Sequence, residues 1–224
     1  YLNGEKTTLD KENLNYFVEF GEHYVHITER QKHYLEMRSV VDRVLAAAAL
    51  IVLSPLLLVV SVAQKINAPY EPIFFLQKRV GKDAHCFNII KFRTMKSTAP
   101  KNVATGDLES PEIYISKLGR ILRDTSIDEL PQLWSILCGE MSLVGPRPAL
   151  FNQDDLVALR TEFGVHELVP GLTGWAQING RDELPIPEKV KLDVEYLRRQ
   201  SFWFDIRILW LTFVKVIRRD GVSH

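Results

Sequence analysis

The 224-residue sequence predicts a mainly helical α+β fold that is held at a membrane from one side. Three observations predict this class. Residues 44–64 are uncharged and apolar, residues 73–95 show the pattern of an antiparallel hairpin, and the other patterned segments mostly have helical spacing. A chain of this length suffices for one domain with a sizeable core. We expect a polar, amphipathic N-terminal arm at residues 1–37, a membrane helix at 38–66, and a domain on the cytoplasmic face at 67–224.

The composition excludes several classes of protein. The formal net charge is +0, which provides no field for nucleic acid, so we expect no nucleic-acid partner. Cys86 and Cys138 lie far apart without CxxC spacing, as free thiols in a reducing compartment do. The six histidines lack the spacing of a zinc site. The opening residues are polar and charged, so no secretory signal peptide is expected there.

The apolar segment from Val44 to Gln64 is long enough to cross a bilayer core of roughly 30 Å. A buried core helix is the alternative, but the uniform composition favours the membrane. Ser54 and Pro55 lie in its middle, and a proline there predicts a kink. Basic residues flank both ends, namely Arg38, Arg43, Lys65, Lys78, Arg79 and Lys82. Positive charge on both sides is expected when both ends stay cytoplasmic, so we predict a monotopic, re-entrant helix-break-helix.

The hairpin is predicted from Ile73–Val80 and Cys86–Phe92, with a turn at residues 81–83. Cations alternate around an aromatic residue at its end, where Lys91 and Arg93 follow one another. A solvated strand face is the ordinary interpretation of such cations. A loop at residues 96–112 and helices at about 113–122 and 129–138 follow.

Two adjacent carboxylates, Asp128 and Glu129, lie at the predicted start of the second of these helices. Ser126 and Glu129 have capping-box spacing, and Pro131 suits a first helical turn. The helix dipole would lower the pKa of these carboxylates and would also attract phosphate. Arg123 lies five residues before Asp128. A capped, solvated helix start explains these residues equally well.

Two rigid loops follow. Gly145, Pro146 and Pro148 surround Arg147, and a glycine-rich loop at residues 170–181 offers the Thr173 hydroxyl, backbone N–H groups and the Arg181 guanidinium. Such groups suit a phosphate or diphosphate. Neither loop matches a Walker A or Rossmann pattern. The aromatic-rich segment at residues 202–217 predicts an amphipathic helix in the membrane interface, and packing on the protein core is an equal alternative.

Taken in order, these segments resemble the bacterial sugar transferases of the monotopic phosphoglycosyl transferase superfamily. The resemblance runs from about residue 38 to 219. Its motifs are Ser54-Pro55, Val80-Gly81-Lys82, Lys91-Phe92-Arg93-Thr94-Met95, the segment from Thr125 to Trp134, Gly145-Pro146-Arg147-Pro148 and the segment from Pro170 to Trp175.

The resemblance implies a catalytic domain that transfers a sugar 1-phosphate from a UDP-sugar to polyprenol (undecaprenyl) phosphate and releases UMP. The reaction would occur at the cytoplasmic face of the bacterial inner membrane and would initiate assembly of capsule, exopolysaccharide, O-antigen or glycoprotein glycans. Asp128 matches the nucleophile that forms an aspartyl-phosphosugar, and Glu129 joins it in binding Mg²⁺. The resemblance also implies downstream glycosyltransferases as partners and allows a homo-oligomer. The expected substrate- or phosphate-binding residues are Lys91, Arg93, Arg123, Arg147, Pro148, Gly171, Thr173 and Arg181.

Two other functions stay open. One is a membrane-bound phosphatase or phosphodiesterase that acts on lipid-linked substrates, although the sequence has no DxDxT nucleophile loop. The other is a non-catalytic membrane scaffold, against which the intact Arg123, Asp128, Glu129 and Arg147 argue. All UDP-sugars share the diphosphate, so these residues select no particular sugar.

Overall fold

A computed structural model describes residues 24–100, 111–180 and 184–218. Most of the predicted arm, most of the predicted loop at 96–112 and Arg181 lie outside these ranges. The helices are α1 (Glu29–Asn67), α2 (Lys117–Asp124), α3 (Leu133–Cys138), α4 (Asp154–Glu162), α5 (Trp175–Asn179), α6 (Ile186–Arg199) and α7 (Phe202–Arg218). The strands are β1 (Phe74–Val80), β2 (Cys86–Phe92), β3 (Ser142–Val144), β4 (Ala149–Leu150) and β5 (Gly171–Thr173). The predicted mainly helical α+β class is confirmed.

The membrane segment belongs to α1, a single helix of 39 residues. A capping box formed by Thr28 and Gln31 starts it, so residues 29–37 continue directly into the apolar segment. The helix is long and apolar enough to cross a membrane. Its assignment runs through Ser54 and Pro55, where the Ser54 hydroxyl donates to the carbonyl of Ile51 at 2.8 Å. The re-entrant bend at this position stays a prediction.

One face of α1 packs against the domain and the other is exposed. On the inner face, Ala46 packs with Ile136 of α3, and Val60 packs with Phe92 of β2. On the outer face, Ile51 and Val52 are 74% and 75% exposed. An exposed apolar face of this kind is typical of lipid contact and excludes a buried core helix.

The predicted hairpin is confirmed, because β1 and β2 pair antiparallel from Phe74↔Phe92 to Val80↔Cys86. Strand β4 adds to the other edge of β1 and gives the order β2-β1-β4. A separate parallel pair joins β3 and β5. These two sheets hold the residues between β3 and β4, where Arg147 lies.

The last helix, α7, is amphipathic as predicted. Phe204 and Ile208 are buried against Tyr196 of α6, whereas Trp203 is 77% exposed and Trp210 is also exposed. The helix therefore packs on the core through one face. Its outer face is aromatic and exposed, and its placement in the membrane interface stays a prediction.

A buried polar network connects the beginning of α1 to the domain. Arg38 donates to Asp205 of α7 at 2.9 Å and to the hydroxyl of Tyr196 at 2.6 Å. Asp42, one turn further along α1, accepts a hydrogen bond from the hydroxyl of Ser142 at the start of β3. These contacts fix the helix to the domain just before the apolar segment. The root network consists of Tyr34, Arg38, Asp42, Ser142, Tyr196 and Asp205.

Candidate active site

Asp128 and Glu129 lie in a 3-10 turn, Ile127–Gln132, that precedes α3. The predicted capping box is wrong: Ser126 is left-handed (φ 55) and its side chain caps nothing. The Glu129 N–H instead donates to the Ser126 carbonyl at 3.2 Å. The α-helix begins only after Pro131, so the two carboxylates are not at its N-terminus.

Asp128 is buried, with 8% of its surface exposed. Burial is the main cause that raises the pKa of its carboxyl to about 6, and the charge of Glu129 adds to the rise. Lys91, Arg123 and Arg147 oppose it, and no hydrogen bond from the described residues contributes. The predicted lowering of the pKa by a helix dipole is wrong, because burial disfavours the charged form of the carboxyl.

Glu129 joins three separate elements. Lys91 of β2 donates to its carboxylate at 2.6 Å, and the guanidinium of Arg147 lies 3.4 Å from the same oxygen. The solvated-face alternative for Lys91 is wrong, since its side chain is only 16% exposed. Burial, the largest cause, lowers the pKa of Lys91, while the Glu129 charge opposes that change. Lys91 from a strand, Glu129 from a turn and Arg147 from a loop therefore lie in contact.

Arg123 faces the same carboxylates. Burial lowers the pKa of its guanidinium, whereas the charges of Asp128 and Glu129 raise it. Its Nε donates to the hydroxyl of buried Thr94 at 2.8 Å. Sequence reasoning missed Thr94 as a supporting residue, although it lies between Arg93 and Met95 in a motif already singled out.

Arg93 makes different contacts. Its Nε donates to the carbonyl of Pro72 at 3.1 Å, and its guanidinium lies 5.6 Å from the Phe75 ring centre. Among the described contacts, none joins Arg93 to Asp128 or Glu129. Its predicted role in binding phosphate stays a prediction.

The glycine-rich loop packs against the backbone of the segment that carries Arg147. Gly171 begins β5, where a Cβ would lie 2.1 Å from the nitrogen of Gly145, so only glycine permits this approach. The hydroxyl of Thr173 lies 2.7 Å from that of Thr212 on α7. The carbonyl of Pro148 accepts a hydrogen bond from Arg79 at 3.0 Å. These described contacts hold the backbone around Arg147 and do not reach the carboxylates.

The donor set at Asp128 and Glu129 fits Mg²⁺ better than a closed metal site. The described residues contain no group of three or more His, Cys, Asp or Glu side chains that could hold a metal. Mg²⁺ is usually held by one or two carboxylates together with substrate phosphates and water. The charge of Glu129 acts on the pKa of Asp128, so the two carboxylates lie close together.

A buried carboxylate that adjoins a second carboxylate and three cations is an arrangement that suits phosphate chemistry. The sequence matches the family described as bacterial sugar transferase over residues 33–219, and the chain belongs to that family. It is similar to an uncharacterized sugar transferase, EpsL, from Bacillus subtilis (strain 168), with 44% identity over 155 residues, which cover 68% of this chain and 74% of the relative.

Two longer relatives also match. The UDP-glucose:undecaprenyl-phosphate glucose-1-phosphate transferase of Xanthomonas campestris pv. campestris is 37% identical over 196 residues, 84% of this chain and 40% of the relative. The Escherichia coli (strain K12) protein of the same name is 41% identical over 181 residues, 78% of this chain and 39% of the relative. The matched region therefore spans about 40% of the length of these named transferases.

Proposed function

We propose that this chain transfers a sugar 1-phosphate from a UDP-sugar to undecaprenyl phosphate and releases UMP, at the cytoplasmic face of a bacterial inner membrane. Family membership and the names of the relatives support the general reaction. The observation that carries the proposal is the burial of Asp128 beside Glu129 and the cations Lys91, Arg123 and Arg147. UDP-glucose is the first substrate to test, because the names of two relatives include it.

In this proposal, the Asp128 carboxylate attacks the β-phosphorus of the UDP-sugar. A bond forms from its oxygen to phosphorus, the bond from that phosphorus to the bridging oxygen breaks, and UMP leaves with that oxygen. A phosphate oxygen of undecaprenyl phosphate then attacks the same phosphorus and releases Asp128. Covalent catalysis of this kind divides one difficult displacement into two easier ones.

The surrounding residues offset the charge of this chemistry. Lys91, Arg123 and Arg147 lie where they can neutralise phosphate oxygens as the carboxylate approaches. Asp128 and Glu129 would hold Mg²⁺, which neutralises the diphosphate when it is bound. The raised pKa of Asp128, about 6, still leaves the nucleophile mostly ionised at neutral pH.

The test is UMP release by the purified chain in lipid nanodiscs with a panel of UDP-sugars. We expect continuous UMP release only when undecaprenyl phosphate is present, and without it a single release of one UMP per enzyme. Inorganic phosphate set free from a lipid-linked substrate would favour the phosphatase. Failure to release UMP from any UDP-sugar, while the folded chain still binds membranes, would favour the scaffold.

We further propose that α1 is re-entrant, as supported by its central Pro55 and its basic flanks. Cysteines placed at Lys32 and Lys82, after replacement of the exposed Cys86 and Cys138, report the side of each flank. Both sites should react with a membrane-impermeant reagent from the cytoplasmic side only.

Pro55→Leu removes the residue on which the proposed bend depends, and it should move the position-32 label to the opposite side of the membrane. Ser54→Ala keeps the proline and serves as the matched control. Labels on opposite sides of the membrane in the native sequence would refute the re-entrant topology.

A further inference from the structure

The backbone segment that carries Arg147 has few hydrogen-bond donors of its own. Residues 145–148 include Pro146 and Pro148, neither of which has an N–H donor. Gly145 uses its own N–H on the carbonyl of Thr173, at 2.8 Å. The segment therefore offers mainly carbonyl acceptors, and donors must come from elsewhere in the molecule.

Two arginines outside the carboxylate site donate to consecutive carbonyls of this segment. Arg160 of α4 donates through Nη1 to the carbonyl of Arg147 at 2.7 Å. Arg79 of β1 donates through Nη1 to the carbonyl of Pro148 at 3.0 Å. We name Arg79 and Arg160 the clasp. Its two members approach from different elements of the fold.

Each member of the clasp is itself fixed by a buried acceptor. Arg160 is 7% exposed, and its Nε and Nη2 donate to one oxygen of Asp193 on α6 at 3.0 and 2.7 Å. Arg79 donates through Nη2 to the side chain of buried Gln77 at 2.6 Å. A guanidinium that is fixed by a buried acceptor presents its remaining donors in a fixed direction. The clasp is therefore a rigid support.

Arg147 itself bridges this support and the chemistry. Its carbonyl is held by Arg160, while its guanidinium lies 3.4 Å from Glu129. The guanidinium can occupy only positions within reach of its own backbone, so a displacement of that backbone moves the phosphate contact away from its best geometry. Misplacement of a binding group by about 1 Å can lower a reaction rate by about a hundredfold.

We infer that Arg79 and Arg160 are positioning residues, which hold the backbone of Arg147 so that its guanidinium can grip the diphosphate of the nucleotide substrate. This inference rests on the proposed function for the identity of the ligand. Neither residue is among the charges that shift the pKa of Asp128. Both act through Arg147, and this distinguishes them from residues that only stabilise the fold.

A double-mutant cycle tests this coupling. Arg79→Met removes one limb of the clasp, and UDP affinity with Mg²⁺ is measured by calorimetry on the full chain in detergent. We expect about tenfold weaker UDP binding in the native background and less than twofold in an Arg147→Met background, because the two residues act in series. Lys78→Met removes an exposed cation from the same strand and should change affinity less than twofold in both backgrounds.

Hydrogen exchange provides a second readout that does not need UDP. The peptide covering residues 145–151 should exchange faster in Arg79→Met than in Lys78→Met. Equal losses of UDP affinity in both backgrounds, or unchanged exchange, would overturn the clasp. If Arg147→Met abolishes binding altogether, the exchange comparison decides.

The deeper limb is tested with Arg160→Met combined with Asp193→Leu, because removal of Arg160 alone would leave a buried, unpaired carboxylate. This pair should weaken UDP binding at least as much as Arg79→Met. If it does not fold, the Arg79 cycle alone decides. Normal UDP binding without UMP release would refute the proposed transfer and leave the clasp standing. An additive cycle with normal transfer would refute the clasp alone.

Discussion

Two buried clusters of charge differ in how their carboxylates are satisfied. In the root network, Asp205 accepts hydrogen bonds from Tyr34 at 2.7 Å, from Arg38 at 2.9 Å and from Tyr196 at 2.8 Å. In the active site, Asp128 is just as buried, but only burial and surrounding charges shift its pKa. The first carboxylate is bound on both oxygens, and the second is not held in this way.

This difference distinguishes a buried carboxylate with a structural role from one that is suited to react. A buried carboxylate with three donors stabilises one arrangement of helices, because each of its oxygens has a fixed partner. A buried carboxylate without such donors is poorly solvated and more basic, which suits a nucleophile. Burial and nearby cations alone would not distinguish Asp128 from Asp205, whereas the hydrogen-bond donors do.

The largest expected effect comes from exchanging one carboxylate in each cluster for an amide. Asp128→Asn should lower UMP release by at least about 10⁴-fold and abolish the covalent adduct in mass spectrometry, while the chain stays folded. Asp205→Asn should have the opposite effects. It breaks the buried ion pair with Arg38, so the free energy of unfolding should fall by about 3 kcal/mol. Turnover per folded molecule should be retained. Near-native turnover of Asp128→Asn would refute its role.

The next effect concerns Glu129. Glu129→Gln removes the charge that the proposed Mg²⁺ site requires, and it should lower activity on the order of 10²-fold. Its amide oxygen can still accept from Lys91, but the pair loses its charge, so the free energy of unfolding should fall by about 1–3 kcal/mol. Activity is measured against Mg²⁺ concentration. Equal rates of the native chain in Mg²⁺ and in excess chelator would remove the metal from the mechanism.

A smaller loss is expected for Arg147→Lys. Lysine keeps the charge but cannot form the planar, two-point contact with phosphate, so the KM for the UDP-sugar should rise roughly tenfold. Thermal stability and membrane association should be nearly unchanged. Equal KM and kcat in the two proteins would leave Arg147 as an ordinary partner of Glu129.

A dependence of stability on pH is also expected. The pKa of Asp128 is raised in the folded state from 3.8 to about 6, so the folded chain binds more protons than the unfolded chain in this window. The contribution of Asp128 to stability is full below about pH 4 and is lost as pH rises through 6, by roughly 3 kcal/mol in total.

Asp128→Asn should lack this loss. Denaturant unfolding of both proteins from pH 4 to 7 measures it, and the stability of the variant relative to the native chain should rise over that range. Parallel stability curves would contradict the raised pKa. The activity of the native chain should fall below about pH 6, where its nucleophile becomes protonated.

Sequence patterns predicted what depends on neighbours in the chain. The β1–β2 hairpin follows from a short turn and two runs of strand-forming residues, and it forms as expected. The capping box failed because Glu129 pairs with Lys91, 38 residues away, and that charge pair takes the carboxylate from the helix start. A contact over such a distance leaves no periodic signal.

The position of Asp128 could be found from the sequence, but its environment could not. Its pKa follows from the surfaces that cover it, and these come from other elements of the fold. For the same reason the clasp could not be predicted from the sequence, because Arg79 and Arg160 have no sequence spacing that relates them to Arg147. Positions within motifs were predictable, and their solvation was not.

The root network also has a consequence for biosynthesis. Asp42 meets Ser142 across 100 residues of sequence, and Arg38 meets Asp205 across 167. A ribosome that emits α1 first must synthesise most of the domain before these partners appear. During that interval the domain surface that packs on the inner face of α1 is incomplete, so we expect the bilayer to be the first folding partner of α1 and the domain to close later on an inserted helix.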